Sequence, residues 1–73
     1  MANSNKNKDL TPREKEILIL FADGYSAEEI SQKLGIALPT VQHHRGTIGI
    51  KLQTNNIIGL VKYALKHNLI TVD

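Results

Sequence analysis

The pattern Thr/Ser-x-x-Glu opens two successive segments of this chain, Thr11-Pro12-Arg13-Glu14 and Ser26-Ala27-Glu28-Glu29, and apolar residues at helical spacing follow each. In such a box the hydroxyl takes the backbone N–H three residues on, while the Glu reaches back to the cap, so two orphaned donors are satisfied together. Pro12 adds a preset φ at the first helical position. The first helix is expected to run through Ile17, Leu18, Leu20 and Phe21 to Asp23, with Gly24 as its stop. The second buries Ala27, Ile30 and Leu34 and ends at Gly35. At about nine residues it needs packing to persist. A third helix is expected over residues 38–52, and a fourth from a cap at Asn56 to about His67, where Asn68 suits a C-terminal stop. No segment alternates at strand period. The expected fold class is all-α, four short helices with a central helix-turn-helix.

Length and composition narrow what such a bundle can do. Seventy-three residues give one domain. A chain this short buries only roughly 60% of its unfolded surface, too little to enclose a deep substrate cleft. There is no cysteine, hence no disulfide staple, thiol nucleophile or thiolate zinc site. The longest apolar run, residues 17–22, is far shorter than a membrane span, and no signal-peptide core follows Met1. These counts point to a small soluble protein of a reducing compartment, acting in the cytoplasm. Residues 1–8, MANSNKNK, read as a disordered arm or a linker stub, with the domain proper over residues 9–73. The formal charge of +2 conceals an asymmetry: residues 1–29 carry −2, whereas residues 30–72 carry +5 and no carboxylate. Solvated surface cations would explain that stretch. So would a basic face for nucleic acid.

Residues 27–46 carry the informative spacing. A short helix, Gly35, a three-residue connection and a second helix describe a helix-turn-helix, with Ile30, Leu34, Ile36 and Val41 at the inward sites that fix the two helices at a steep angle. Projection of the third helix places Val41, Ile48 and Leu52 on one side, His44 and Arg45 at its margins, and Pro39, Gln42, His43, Gly46, Thr47 and Ile50 opposite. The second helix of this motif enters the major groove of DNA. There Gln42 can pair with N6 and N7 of adenine, and His43 can donate to a guanine acceptor. Gly46 lets the backbone approach without adding a contact. Thr40, Arg45, Thr47 and Lys51 suit phosphates, which position a protein without specifying sequence. His44 reads as a partly buried structural histidine. Gly46 and Gly49 each cost the helix roughly 1 kcal/mol against Ala. A Gly-x-x-Gly also marks one RNA-binding fold, but that fold needs strands.

In these residues the chain resembles the LuxR/GerE-type (NarL/FixJ-type) DNA-binding domain of bacterial transcription regulators. The resemblance lies in Leu10-Thr11-Pro12-Arg13-Glu14, Ile17-Leu18, Gly24, Ile30, Leu34-Gly35-Ile36, Thr40-Val41, His44, Ile48, Lys51-Leu52, Leu60-Val61, Tyr63-Ala64 and Leu69-Ile70, in order and without a gap. It implies a cytoplasmic transcription factor, usually joined to a receiver or ligand-sensing domain, whose third helix reads DNA and whose fourth forms a dimer. It also implies base-facing positions at Gln42, His43 and Gly46, and phosphate-facing positions at Thr40, Arg45, Lys51 and Ala27. The chain departs from the family in four places. Ala27 offers only its backbone N–H, Ala37 replaces a Ser cap at a cost of about 1 kcal/mol, Gly46 stands where polar or basic residues are common, and Ile50 where a cation often is.

The fourth helix carries two apolar stripes. Leu60, Ala64 and His67, with Tyr63 beside them, are expected to pack inward; Ile58, Val61 and Leu65 lie about 130° away. A domain this small has no core for both, so the second stripe reads as a homodimer contact, although it could instead cover the first helix near Ile19. The reading is a sequence-specific regulator that binds double-stranded promoter DNA, with RNA polymerase a further candidate partner. It expects no membrane, metal, cofactor or small-molecule ligand. A sigma-factor-like promoter-binding fragment is an alternative. So is a protein-interaction adaptor with a degenerate third helix. An enzyme is disfavoured, because no paired carboxylates, nucleophile with base or phosphate loop stands at a useful spacing.

Overall fold

The computed structural model describes residues 10–71, so the arm expected at residues 1–8 lies outside the described residues. Four helices follow in order: α1 (Pro12–Ala22), α2 (Ala27–Leu34), α3 (Leu38–Leu52) and α4 (Ile57–Lys66). No strand occurs among the described residues.

Both capping boxes form. The Glu14 and Glu29 N–H groups donate to Thr11 Oγ1 and Ser26 Oγ at 3.1 Å, and the Thr11 and Ser26 N–H groups donate back to the carboxylates at 2.8 Å. The turn after α2 depends on Gly35, which takes the left-handed conformation at φ 68° that costs other residues most. There Ser31 Oγ donates to the Ile36 carbonyl at 2.6 Å, tying the last turn of α2 to the connection. α3 begins at Ala37 without a side-chain cap, as the sequence suggests, and Pro39 lies in its first turn. It ends on Gln53 in the left-handed region. α4 starts where Asn56 Oδ1 accepts the Gly59 N–H at 3.0 Å.

The core is a single cluster of Ile17, Leu18, Ile30, Val41, Ile48 and Leu60, sealed from solvent, with Leu10 beside them. Ala64 is buried as well. α1 is the central element, in contact with the other three helices, and α2 packs on α3. Burial of an aliphatic side chain contributes about 1.5–3 kcal/mol, and a helix of eight residues depends on such packing.

The inward stripe of α4 holds for Leu60 and Ala64 but not for His67, which is exposed. The helix ends at Lys66, and His67 caps it outside the inward stripe. The chain reverses at Asn68, φ 59°, and the Leu69 N–H returns to the Ala64 carbonyl at 2.8 Å. Leu69 then packs against the core at that end, while the His67 ring stacks on Tyr63 with centroids 4.2 Å apart.

The two glycines of α3 differ in circumstance. A Cβ on Gly49 would stand 2.7 Å from the Thr54 carbonyl oxygen, whereas one on Gly46 would meet nothing within 4 Å. Gly49 is therefore required by the close passage of the 53–55 turn, which also places the Thr54 side chain against Gly59. Gly46 is required by no contact among the described residues. Gly46→Ala should raise stability by about 1 kcal/mol, a gain of roughly 4–8 °C in melting temperature for a domain this size. Gly49→Ala should lower it, and thermal unfolding followed by circular dichroism separates the two.

Candidate nucleic-acid interface

α3 spans fifteen residues and has no acidic residue in its first turn. Val41, Ile48 and Gly49 are buried, and Leu52 packs against the core. Gln42, His43, Gly46 and Ile50 are exposed, as are Pro39 and Thr40. At about 100° per residue, Gln42, Gly46, Ile50 and His43 form one outward stripe. Arg45 and Gly49 lie along one flank of it, and Thr40, Thr47 and Lys51 along the other. The side chains expected at base edges thus sit between two margins of cationic and hydroxyl groups. That ordering suits a helix in a groove walled by two phosphate strands.

Two contacts hold the margins. The Arg45 guanidinium lies over the Phe21 ring of α1, 5.6 Å from its centroid, a distance at which cation and ring attract. Lys51 Nζ reaches Glu14 Oε1 at 2.7 Å, and the two side chains are 21% and 6% exposed. This pair links the first turn of α1 to the last turn of α3. Burial works against ionisation of Glu14. The Lys51 hydrogen bond, the Thr11 backbone N–H and the Lys51 charge outweigh it and hold the carboxyl below its ordinary value.

Other expected positions fall elsewhere. Ala27 is half-buried at the start of α2, where Glu28 and Glu29 occupy the same first turn and place negative charge near any phosphate. His44 is half-buried; its ring and that of His43 lie 6.1 Å apart and tilted, and no cluster of metal-ligating side chains occurs among the described residues. On α4, Ile58 is 63% exposed, with Val61 and Leu65 partly buried along the same stripe. Ile57, 43% exposed, adds to it. Ile19 lines a shallow hollow with Glu16, Leu20, Lys33 and Leu34. Among the described residues no helix is long and apolar enough to cross a membrane.

Sequence reasoning missed four participants. Glu14 was read only as a capping residue, and its second task, anchoring Lys51 across 37 positions, has no local signature. Phe21, named only as a residue of the first helix, also supports Arg45. Gln53 and Asn55 line a shallow groove beside Gly46, Gly49 and Ile50, and the turn chemistry of residues 53–55 was the available signal.

A tight two-helix unit with an exposed second helix, braced by a third and a fourth, is the architecture of a helix-turn-helix domain. Residues 8–64 match the family model of bacterial regulatory proteins of the luxR family, the GerE type. This chain belongs to that family, a family of DNA-binding transcription regulators. It is 42% identical over 62 residues to the transcriptional regulatory protein MctR of Rhizobium johnstonii, covering 85% of this chain and 29% of that protein. It is 46% identical over 61 residues to the response regulator protein VraR of Staphylococcus aureus and of Staphylococcus saprophyticus, covering 84% of this chain and 29% of those. The chain thus spans less than a third of the length of these relatives.

Glu14→Gln retains an acceptor for the Thr11 N–H and removes the charge that Lys51 meets. It should cost about 1–3 kcal/mol at neutral pH. Because folding lowers the Glu14 pKa, the stabilisation is fully present above the unfolded-chain value of about 4.3 and is lost as pH falls through the lower folded value. Chemical denaturation of both proteins at pH 7 and pH 3 should show the full difference at pH 7 and a smaller one at pH 3.

Proposed function

We propose that this domain binds double-stranded promoter DNA in the cytoplasm by laying α3 in the major groove, and that it acts as a homodimer. The observation that carries the reading is the outward stripe of α3, polar at Gln42 and His43, open at Gly46, and flanked by Arg45, Thr40 and Thr47. Gln42 and His43 face base edges, where bidentate and single donors discriminate bases. Arg45, braced on Phe21, meets a phosphate; Thr40, Thr47 and the backbone N–H of Ala27 add weaker contacts. Lys51 shares its ammonium between Glu14 and the phosphate side of the groove. The names of MctR and VraR, a transcriptional regulatory protein and a response regulator, support the class. Ile58, Val61 and Leu65 form the dimer contact, so that two copies address a two-fold site and offset the small number of cations on each.

Binding of the 73-residue chain to duplexes selected from a random pool tests this by fluorescence anisotropy. Affinity should fall steeply with salt, as counterion release requires. Gln42→Ala and His43→Ala should each reduce the preference for selected over scrambled DNA by about 1–3 kcal/mol, while Arg45→Ala weakens both equally and lowers the salt slope by about 1. An adaptor that only binds proteins would show non-specific affinity alone. Ile58→Asp should shift the DNA-bound species in sedimentation from two protomers to one, with a loss of affinity on palindromic sites.

A further inference from the structure

Ile50 is the most exposed large apolar side chain among the described residues, at 80%. A single exposed aliphatic residue on an ordinary surface requires no explanation, but Ile50 stands on the outward stripe of α3. It lies one turn beyond Gly46 and two beyond Gln42. Gly46 leaves open space where a Cβ would be, so no side chain intervenes between Gln42 and Ile50 as the helix approaches a duplex. Beside Ile50 a shallow groove is lined by Gly46 and Gly49, together with Arg45 and Gln53. The stretch from residue 30 to 72 contains no carboxylate, so the surroundings suit a polyanion, while Ile50 supplies an apolar contact at the groove's edge. In the major groove one base alone presents an apolar group, the C5-methyl of thymine.

We propose that Ile50 packs against the C5-methyl group of a thymine, adding a base-specific position beyond those facing Gln42 and His43. The assignment rests on the DNA-binding reading above and deepens it. The Ile replaces a general attraction to phosphate, which a cation there would supply, with discrimination between thymine and the other bases. Gly46 keeps the methyl's approach clear on the side where the groove runs.

The test deletes the methyl alone. In the best duplex from the random pool, each thymine is replaced singly by deoxyuridine, and the affinity of the 73-residue chain and of Ile50→Ala is measured at constant salt. Ile50→Ala is at an exposed helical position and should fold, which circular dichroism verifies. The wild-type chain should lose roughly threefold to tenfold at one thymine per half-site, the scale of one buried methyl. Ile50→Ala should bind the thymine and uracil duplexes equally, and as weakly as the wild type binds the uracil duplex. Equal losses for both proteins at every thymine, or no loss for the wild type at any, would overturn the assignment while leaving DNA binding intact. So would an Ile50→Ala defect that tracks conversion to monomer in sedimentation, because the residue would then face a second copy. Failure of the wild type to bind any duplex would overturn the DNA reading itself and this assignment with it.

Discussion

One carboxylate oxygen, Oε1 of Glu14, receives both the Thr11 backbone N–H at 2.8 Å and the Lys51 ammonium at 2.7 Å. The first bond starts α1; the second ends the free play of α3. A helix exposed along most of one face would otherwise be fixed mainly by Val41, Ile48 and the partly buried Leu52. The ion pair adds a directional anchor near its C-terminal end, and Arg45 over Phe21 adds another at mid-length. Both run to α1, which thereby acts as the frame against which the outward helix is held. A buried pair of this kind contributes little net stability by comparison with apolar packing, but it is costly to break from one side. Its consequence is orientation rather than bulk stability.

The turn after α3 has a similar part. Thr54 lies over Gly49 and against Gly59, so the loop between α3 and α4 admits glycine at both points of approach. Gly46 faces the opposite circumstance. It lowers helix stability by about 1 kcal/mol and relieves no contact among the described residues, so what it provides is clearance on the outer surface. A protein selected only for stability would carry Ala there. The outward stripe thus combines a braced position with an open surface, the two conditions a rigid reading helix needs.

The parts of the fold legible in the sequence are those decided within four residues. Thr11 with Glu14, Ser26 with Glu29, Gly35 and Asn56 each announce a helix boundary through a local hydrogen bond or a left-handed conformation. The bounds of α3 follow from them. His67 was misplaced because periodicity continues on paper past Lys66, where the helix ends and His67 becomes its cap. Gly46 and Gly49 are the same letter three residues apart, and only the path of residues 53–55 distinguishes them. The Glu14–Lys51 and Arg45–Phe21 contacts join distant positions and leave no periodic trace. For the candidate interface, helical projection was sufficient to sort Gln42, His43, Gly46 and Ile50 onto one exposed face. It could not reveal that Lys51 has an internal partner.

The central claim is that α3 is the surface that meets DNA. Amide chemical-shift mapping of the ¹⁵N-labelled chain titrated with a selected duplex tests it most directly. The largest perturbations should fall on the outward stripe of α3, at Gln42, His43, Gly46 and Ile50, with Arg45 and Thr47 following. Perturbations concentrated on the hollow at Ile19 and Lys33 or on the exposed face of α4, with the α3 stripe unmoved, would contradict it.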